Sequence, residues 1–163
     1  MGDLKREVLQ LLENDSRLSK EQLAKMLNVS KEDIAQIIEE LEQDSVILKY
    51  HTVINWDKQS SPRVRALIEV TITPQREFGF DKIAERIYRF PQVKSVYLMS
   101  GSYDLCVIIE GETMHDISFF LSEKLATLEY VNGTRTHFVM KRYKEDGVIF
   151  SGEESDKRLV VSP

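Results

Sequence analysis

Apolar residues recur at Leu4, Val8, Leu11 and Leu12, then at Leu23, Ala24 and Leu27, then at Ile34, Ile37, Ile38 and Leu41. Each set keeps the three- and four-residue steps of one helix face, which predicts three helices of about ten residues. The first runs over 3–13 with Asp3 as its N-cap and breaks at Asn14-Asp15-Ser16. Ser19 caps the second, where Gln22 three residues on completes a capping box, and Ser30 caps the third. Three facing stripes pack as a tri-helical unit. The second and third helices meet at Asn28-Val29 in the layout of a helix-turn-helix, with the third placed to enter a DNA major groove. A small helical bundle without a nucleic-acid role has the same spacing.

The period then changes. Val46 to Trp56 is β-branched and aromatic and reads as a strand leaving the helical unit. The polar stretch Asp57-Lys58-Gln59-Ser60-Ser61-Pro62 reads as a linker. Strands are expected over 65–73, 93–99, 104–110 and 134–143. A helix is expected over 80–89, with Ile83, Ala84 and Ile87 inward. A second follows the Thr113 cap, with Ile117, Phe120, Leu121 and Leu125 inward. The order βαββαβ is that of a ferredoxin-like antiparallel sheet with both helices on one face. Its other face needs cover for Val70, Ile72, Val107 and Ile109 or their alternating neighbours, and a second copy of the chain is the economical cover. The expected fold class is therefore α+β. The expected domains are a helix-turn-helix over 1–46, a hinge strand and linker over 47–62, a ferredoxin-like module over 63–150 and a polar tail over 151–163.

Composition adds limits. The 163 residues are 42% hydrophobic and 30% charged, an ordinary globular balance. No apolar run approaches the roughly 20 residues of a membrane span. Charges interrupt the N-terminal apolar pattern, so it is not a secretory signal, and a cytoplasmic location is expected. Cys106 is the only cysteine, which excludes an internal disulfide and a cysteine-clustered zinc site. The net charge of −5 is uneven: residues 1–45 carry six Lys/Arg against eleven Asp/Glu, so the whole excess sits on the helical unit. Residues 30–44 alone hold one Lys and six acids. Long-range attraction to phosphate is weak for such a head.

Several segments in order resemble the Lrp/AsnC family, the feast/famine transcriptional regulators. They are Asp3-Leu4 with Val8-Leu9, Leu18-Ser19, Leu23-Ala24, Val29-Ser30 and the hinge-like Val46-Ile47-Leu48-Lys49-Tyr50. Further along, Ser100-Gly101-Ser102-Tyr103-Asp104-Leu105 matches the family's Gly-x-x-Asp turn, and Val131-Asn132-Gly133-Thr134-Arg135-Thr136 resembles the start of its last strand. The resemblance covers roughly residues 3–150. It implies dimers that often assemble into rings, and an amino acid or related metabolite as effector at the Gly-x-x-Asp turn. It therefore puts Ser100, Gly101, Ser102, Tyr103 and Asp104 at an effector site. Backbone N–H groups of a glycine turn suit a carboxylate and Asp104 suits an ammonium; a plain hairpin turn is the other reading. The departure is the acidic third helix, where only Ser30, Lys31 and Gln36 offer hydrogen-bond donors to DNA. Lys20 and Lys25 on the preceding helix can reach phosphates.

No catalytic, metal or cofactor constellation stands out. His51, His115 and His137 lack ligand spacing, Cys106 reads as a small buried hydrophobe, and Arg86, Arg89 and Lys94 as a solvated basic patch. The reading is a non-enzymatic DNA-binding regulator with double-stranded DNA, a small-molecule effector and further copies of itself as partners, and no membrane partner. One alternative is a ligand-binding or assembly module whose head has lost strong DNA binding. The remote one is an enzyme like the siroheme decarboxylases, which share a similar two-part layout.

Overall fold

The computed structural model describes residues 2–60, 63–74 and 79–150. The chain divides between Val53 and Ile54 into two compact units. In the first, α1 (Gly2–Asn14), α2 (Lys20–Leu27) and α3 (Lys31–Gln43) enclose a core of Val8, Leu12, Leu23, Ala24, Ile34 and Ile38. Burying each of the larger side chains contributes about 1.5–3 kcal/mol. Ser19 Oγ accepts from the Gln22 N–H at 3.2 Å while Gln22 Oε1 accepts from the Ser19 N–H at 2.8 Å, the reciprocal box that starts α2. Ser30 Oγ accepts from the Asp33 N–H at 3.0 Å and starts α3. Between them Asn28 takes a left-handed φ of 54°, which asparagine tolerates, and turns the chain sharply. Asp3 is not an N-cap. Gly2 is already helical, so Asp3 lies in the first turn, where its charge still favours the positive end of the helix dipole.

The expected strand over 46–56 does not form a ladder. The N–H groups of Val46 and Ile47 return to the Leu41 carbonyl at 2.9 and 3.0 Å, closing α3, and a single 3-10 turn follows at Trp56–Lys58. β-rich composition makes a strand only where a neighbouring strand takes its N–H groups. No strand among the described residues does so here, and Leu48 is left 84% exposed. The Arg63 guanidinium lies 4.2 Å above the Trp56 ring.

In the second unit, β1 (Val64–Ile72), α4 (Asp81–Tyr88), β2 (Val93–Leu98), β3 (Leu105–Gly111), α5 (Met114–Phe120) and β4 (Val131–Phe138) give one antiparallel sheet of order β2-β3-β1-β4, the ferredoxin-like arrangement. Ala66, Ile68, Val70 and Ile72 of β1 and Val107 and Ile109 of β3 face the helices and pack with Ile83, Ile87, Ile117, Phe120 and Leu125. The Thr113–Asp116 capping box starts α5, which runs on through a π-helical turn at Leu121–Leu125. The four residues expected to need outside cover are thus core. Their alternating neighbours Leu67 and Ile108, only half-buried, share the opposite face with Glu69 and Arg135.

The last strand is shorter than the alternation to Tyr143 suggested. β4 pairs with β1 only as far as Ala66 opposite Phe138, because β1 itself begins at Val64. The chain then folds into a small hairpin, β5 (Lys144–Glu145) with β6 (Val148–Ile149), turned at Asp146-Gly147 with both φ positive. Arg65 closes on both Glu110 and Glu145, and Arg142 on Asp57 and Glu145 at 3.3 Å. The expected tail over 151–163 and the Ser61-Pro62 end of the expected linker lie outside the described residues.

Candidate functional site

The helical unit offers fewer free donors than its sequence suggested. Lys31 Nζ lies 2.5 Å from Glu21 Oε1, joining the first turns of α3 and α2. Its hydrogen bond, before its charge, holds the Glu21 carboxyl down at about 2, and Glu21 in return raises the Lys31 ammonium. Gln36 Nε2 donates to Glu40 Oε1 at 3.0 Å, and Glu40 Oε2 also holds Lys5 at 2.7 Å. Gln43 Nε2 donates to Glu39 Oε1 at 3.3 Å, and Ser30 is occupied as the N-cap. Of the five expected DNA contacts, Lys20 and Lys25 are exposed and make no ion pair among the described residues. α3 has no basic residue in its last turn, so Glu40, Glu42 and Asp44 oppose its dipole, and Lys5 offsets part of that. Beside α3 an open groove of about 620 Å³ is lined by Leu12, Leu18, Lys20, Ile38, Glu39 and Glu42 among others. Tyr50 lies along it with its hydroxyl donating to Glu42 Oε1 at 2.8 Å.

In the ferredoxin-like unit the turn over 99–104 is pinned at both ends. The Met99 N–H donates to the Asp104 carbonyl at 2.8 Å and the Asp104 N–H to the Val70 carbonyl at 3.1 Å. The Asp104 carboxylate accepts from the Ile72 N–H at 2.8 Å, next to the register shift of β1 against β4 at Thr71/Ile72. Gly101 has open space where a Cβ would sit and no positive φ, so the turn itself does not demand glycine.

A hollow of about 290 Å³, near the lower edge of small-molecule sites, is lined by Glu69, Thr71, Ser102, Tyr103, Gly133, Thr134 and Arg135. Arg135 Nη1 lies 3.3 Å from Glu69 Oε2, and His137 Nε2 is 3.1 Å from Glu69 Oε1. Burial, then the neighbouring Cys106 and Glu69, push the Tyr103 hydroxyl up. Two of the five expected effector residues, Ser102 and Tyr103, line the hollow; Ser100, Gly101 and Asp104 do not. Sequence reading missed Glu69, Thr71, Gly133, Thr134 and Arg135 as lining residues. The signal was present in the pairing of the first and last strands, which sets Glu69 opposite Arg135 and Thr71 opposite Gly133. Arg89 of the expected basic patch is paired to Glu85. No cluster of three His, Cys, Asp or Glu side chains suited to a metal occurs among the described residues.

Residues 65–149 match the model of the Lrp/AsnC ligand binding domain, and residues 1–47 match a winged helix-turn-helix DNA-binding model. The chain belongs to the Lrp/AsnC family. It is 48% identical over 158 residues to the uncharacterised HTH-type transcriptional regulator YugG of Bacillus subtilis (strain 168), covering 96% of this chain and 95% of that one. The proline dehydrogenase transcriptional activator of Rhizobium radiobacter is 27% identical over 90% of this chain and 92% of its own. Among solved structures, E. coli AsnC superposes with a TM-score of 0.70 at 19% identity, over 88% of this chain and 94% of that one. An L-Met complex of a transcriptional regulator from Neisseria meningitidis gives 0.72 at 20% identity, over 87% and 91%. At these identities the two structures carry the fold alone.

The protein is thus a DNA-binding transcriptional regulator of the Lrp/AsnC type. No helix among the described residues is long and apolar enough to cross a membrane.

Proposed function

We propose that this Lrp/AsnC regulator works in the cytoplasm as a dimer or larger assembly, and that an amino acid or similar zwitterion bound in the hollow of its ferredoxin-like unit alters that assembly. The observation that carries the effector reading is the Glu69–Arg135 pair on the wall of the hollow, beside Ser102 and Tyr103. A zwitterion can exchange with this pair charge for charge, its ammonium on Glu69 and its carboxylate on Arg135. The solved relative with L-Met supports the ligand class. Asp104 takes a supporting part, since its carboxylate holds the Ile72 N–H at the edge of the site.

Two features support the assembly. Leu67 and Ile108 lie half-buried on the sheet face that the helices leave uncovered, and the segment after α3 exposes Val46, Leu48 and Tyr50 and joins no strand ladder among the described residues. A second copy is the partner that covers both. Pairing matters for DNA because one head, in which only Lys20 and Lys25 of the expected contacts are cations without an ion pair among the described residues, makes few phosphate contacts. Two linked heads multiply a weak affinity.

The test is isothermal calorimetry with the common L-amino acids on the wild type, Arg135→Gln and Glu69→Gln. Binding that is lost in both variants, with the fold intact by circular dichroism, is the expected outcome. Undiminished binding in both removes the hollow as the effector site. A second reading, an assembly module with a feeble DNA head, is favoured by the engagement of Lys31 and Gln36 with acids. Failure of any DNA fragment to shift at low salt would select it.

A further inference from the structure

The third helix of this regulator carries a single cation, Lys31, and the fold already gives it a partner. Glu21 stands in the first turn of α2 and Lys31 in the first turn of α3, ten residues apart in sequence and joined across the turn at Asn28. Nζ to Oε1 is 2.5 Å, with both side chains about half exposed, at 53% and 54%. The pair therefore lies at the start of the third helix, the helix that enters the groove in this motif. An ammonium held by a carboxylate oxygen has the same partner chemistry as one held by a phosphate oxygen. The neighbouring acid Glu32 acts on Lys31 through its charge and not through a hydrogen bond.

We propose that Glu21 is an internal stand-in for a DNA phosphate: it occupies Lys31, so the third helix brings its lone cation to DNA only by exchanging that carboxylate for the nucleic acid. The proposal rests on the DNA-reading role of the head and adds a residue that sets its strength. The exchange has two costs for binding. The internal pair is given up, and the released Glu21 carboxylate is left near the phosphate it made way for. Lys31 also arrives already neutralised, so its contact releases fewer counterions than a free lysine would. Glu21 is thereby a residue that tunes affinity downward, and it keeps the head dependent on paired, multiplied contacts.

The experiment measures DNA affinity of the full chain against salt, on the chain's own upstream region, for the wild type, Glu21→Gln, Lys31→Gln, the double variant and Glu32→Gln. Thermal unfolding confirms that each variant is folded, which the exposure of these side chains allows. Glu21→Gln keeps the side-chain shape and frees Lys31. It is expected to bind roughly two- to fivefold tighter at low salt, the scale of one exposed ion pair, with a salt slope steeper by about 0.9. In the Lys31→Gln background both gains should fall to the charge-only level of Glu32→Gln. Glu32→Gln removes the same charge without releasing a partner, so its smaller gain should persist in that background. The proposal is overturned if Glu21→Gln matches Glu32→Gln in the wild-type background, if its gain is undiminished by the loss of Lys31, or if it weakens binding, which would make Glu21 a group that positions Lys31. If no protein in the set shifts DNA even at low salt, the DNA-reading role of the head fails and the proposal falls with it.

Discussion

The Asp104 carboxylate accepts a 2.8 Å hydrogen bond from the Ile72 backbone N–H, at the point where β1 slips its register against β4. Pairing of β1 with β3 ends at Val70 opposite Leu105, so the next N–H on that edge, at Ile72, has no ladder partner and takes this charged acceptor instead. This gives the Asp of the Gly-x-x-Asp turn a structural duty at the rim of the hollow. Asp104→Ala should therefore lower unfolding stability by about 1.5–3 kcal/mol, the range for hydrogen bonds to charged groups. Chemical denaturation of the wild type and variant without any effector reads this directly. An unchanged midpoint would show that this hydrogen bond does not support the fold.

Thr136 makes the opposite case. Its Oγ1 is buried without a hydrogen-bond partner among the described residues, on the β4 position opposite Ile68 that faces the core. Desolvating a hydroxyl without a partner costs about 1–3 kcal/mol. Thr136→Val keeps the shape and removes the cost, so it should raise stability by about 1 kcal/mol, seen as a higher melting temperature.

Glu21 should titrate far below an ordinary glutamate. Lys31 holds its folded carboxyl at about 2 against a reference of 4.5. A folded value below the unfolded one means that the contribution of the pair is complete above pH 4.5 and is lost as pH falls toward 2. Carboxyl chemical shifts followed by NMR should show this, with the midpoint returning toward the reference in Lys31→Gln. A normal midpoint in the wild type would mean that the pair is not held in solution.

Cys106 lies on the sheet face away from the helices yet is only 6% exposed, with Tyr103 as its hydrogen-bond neighbour. Burial first, then the Glu69 charge, pushes its thiol up, while the Tyr103 hydroxyl draws it the other way. A buried thiol with few thiolates reacts slowly. Labelling by a thiol reagent at pH 8 should be slow in the folded wild type, fast in denaturant, and faster in folded Tyr103→Ala than in the wild type. Equal rates in the two folded proteins would show that Tyr103 does not cover the thiol.

What the sequence made legible was local. Ser19 with Gln22, Ser30, and Thr113 with Asp116 announce their helices because each cap is completed within three residues. The strands of the sheet announce themselves by alternation. What escaped was set by partners distant in the chain. Nothing near Tyr143 says that β4 ends at Phe138; the far end of β1 decides it. Nothing in Val46 to Trp56 says that the segment lacks a neighbour. The ties of Lys31 to Glu21 and Lys5 to Glu40 span 10 and 35 residues, so donors that look free in sequence are engaged in the fold. The hollow was half legible: the resemblance pointed to Ser102 and Tyr103, while Glu69 and Arg135 reach it only through strand pairing.

The two units are expected to answer each other, DNA in one and a zwitterion in the other. A mobility-shift titration on the chain's own upstream region, at low salt, with and without an L-amino-acid mixture, measures that link directly. The expected result is a shift whose midpoint moves when the mixture is present for the wild type and stays fixed for Arg135→Gln. A midpoint indifferent to the mixture in both proteins, or no shift at any salt, would contradict it.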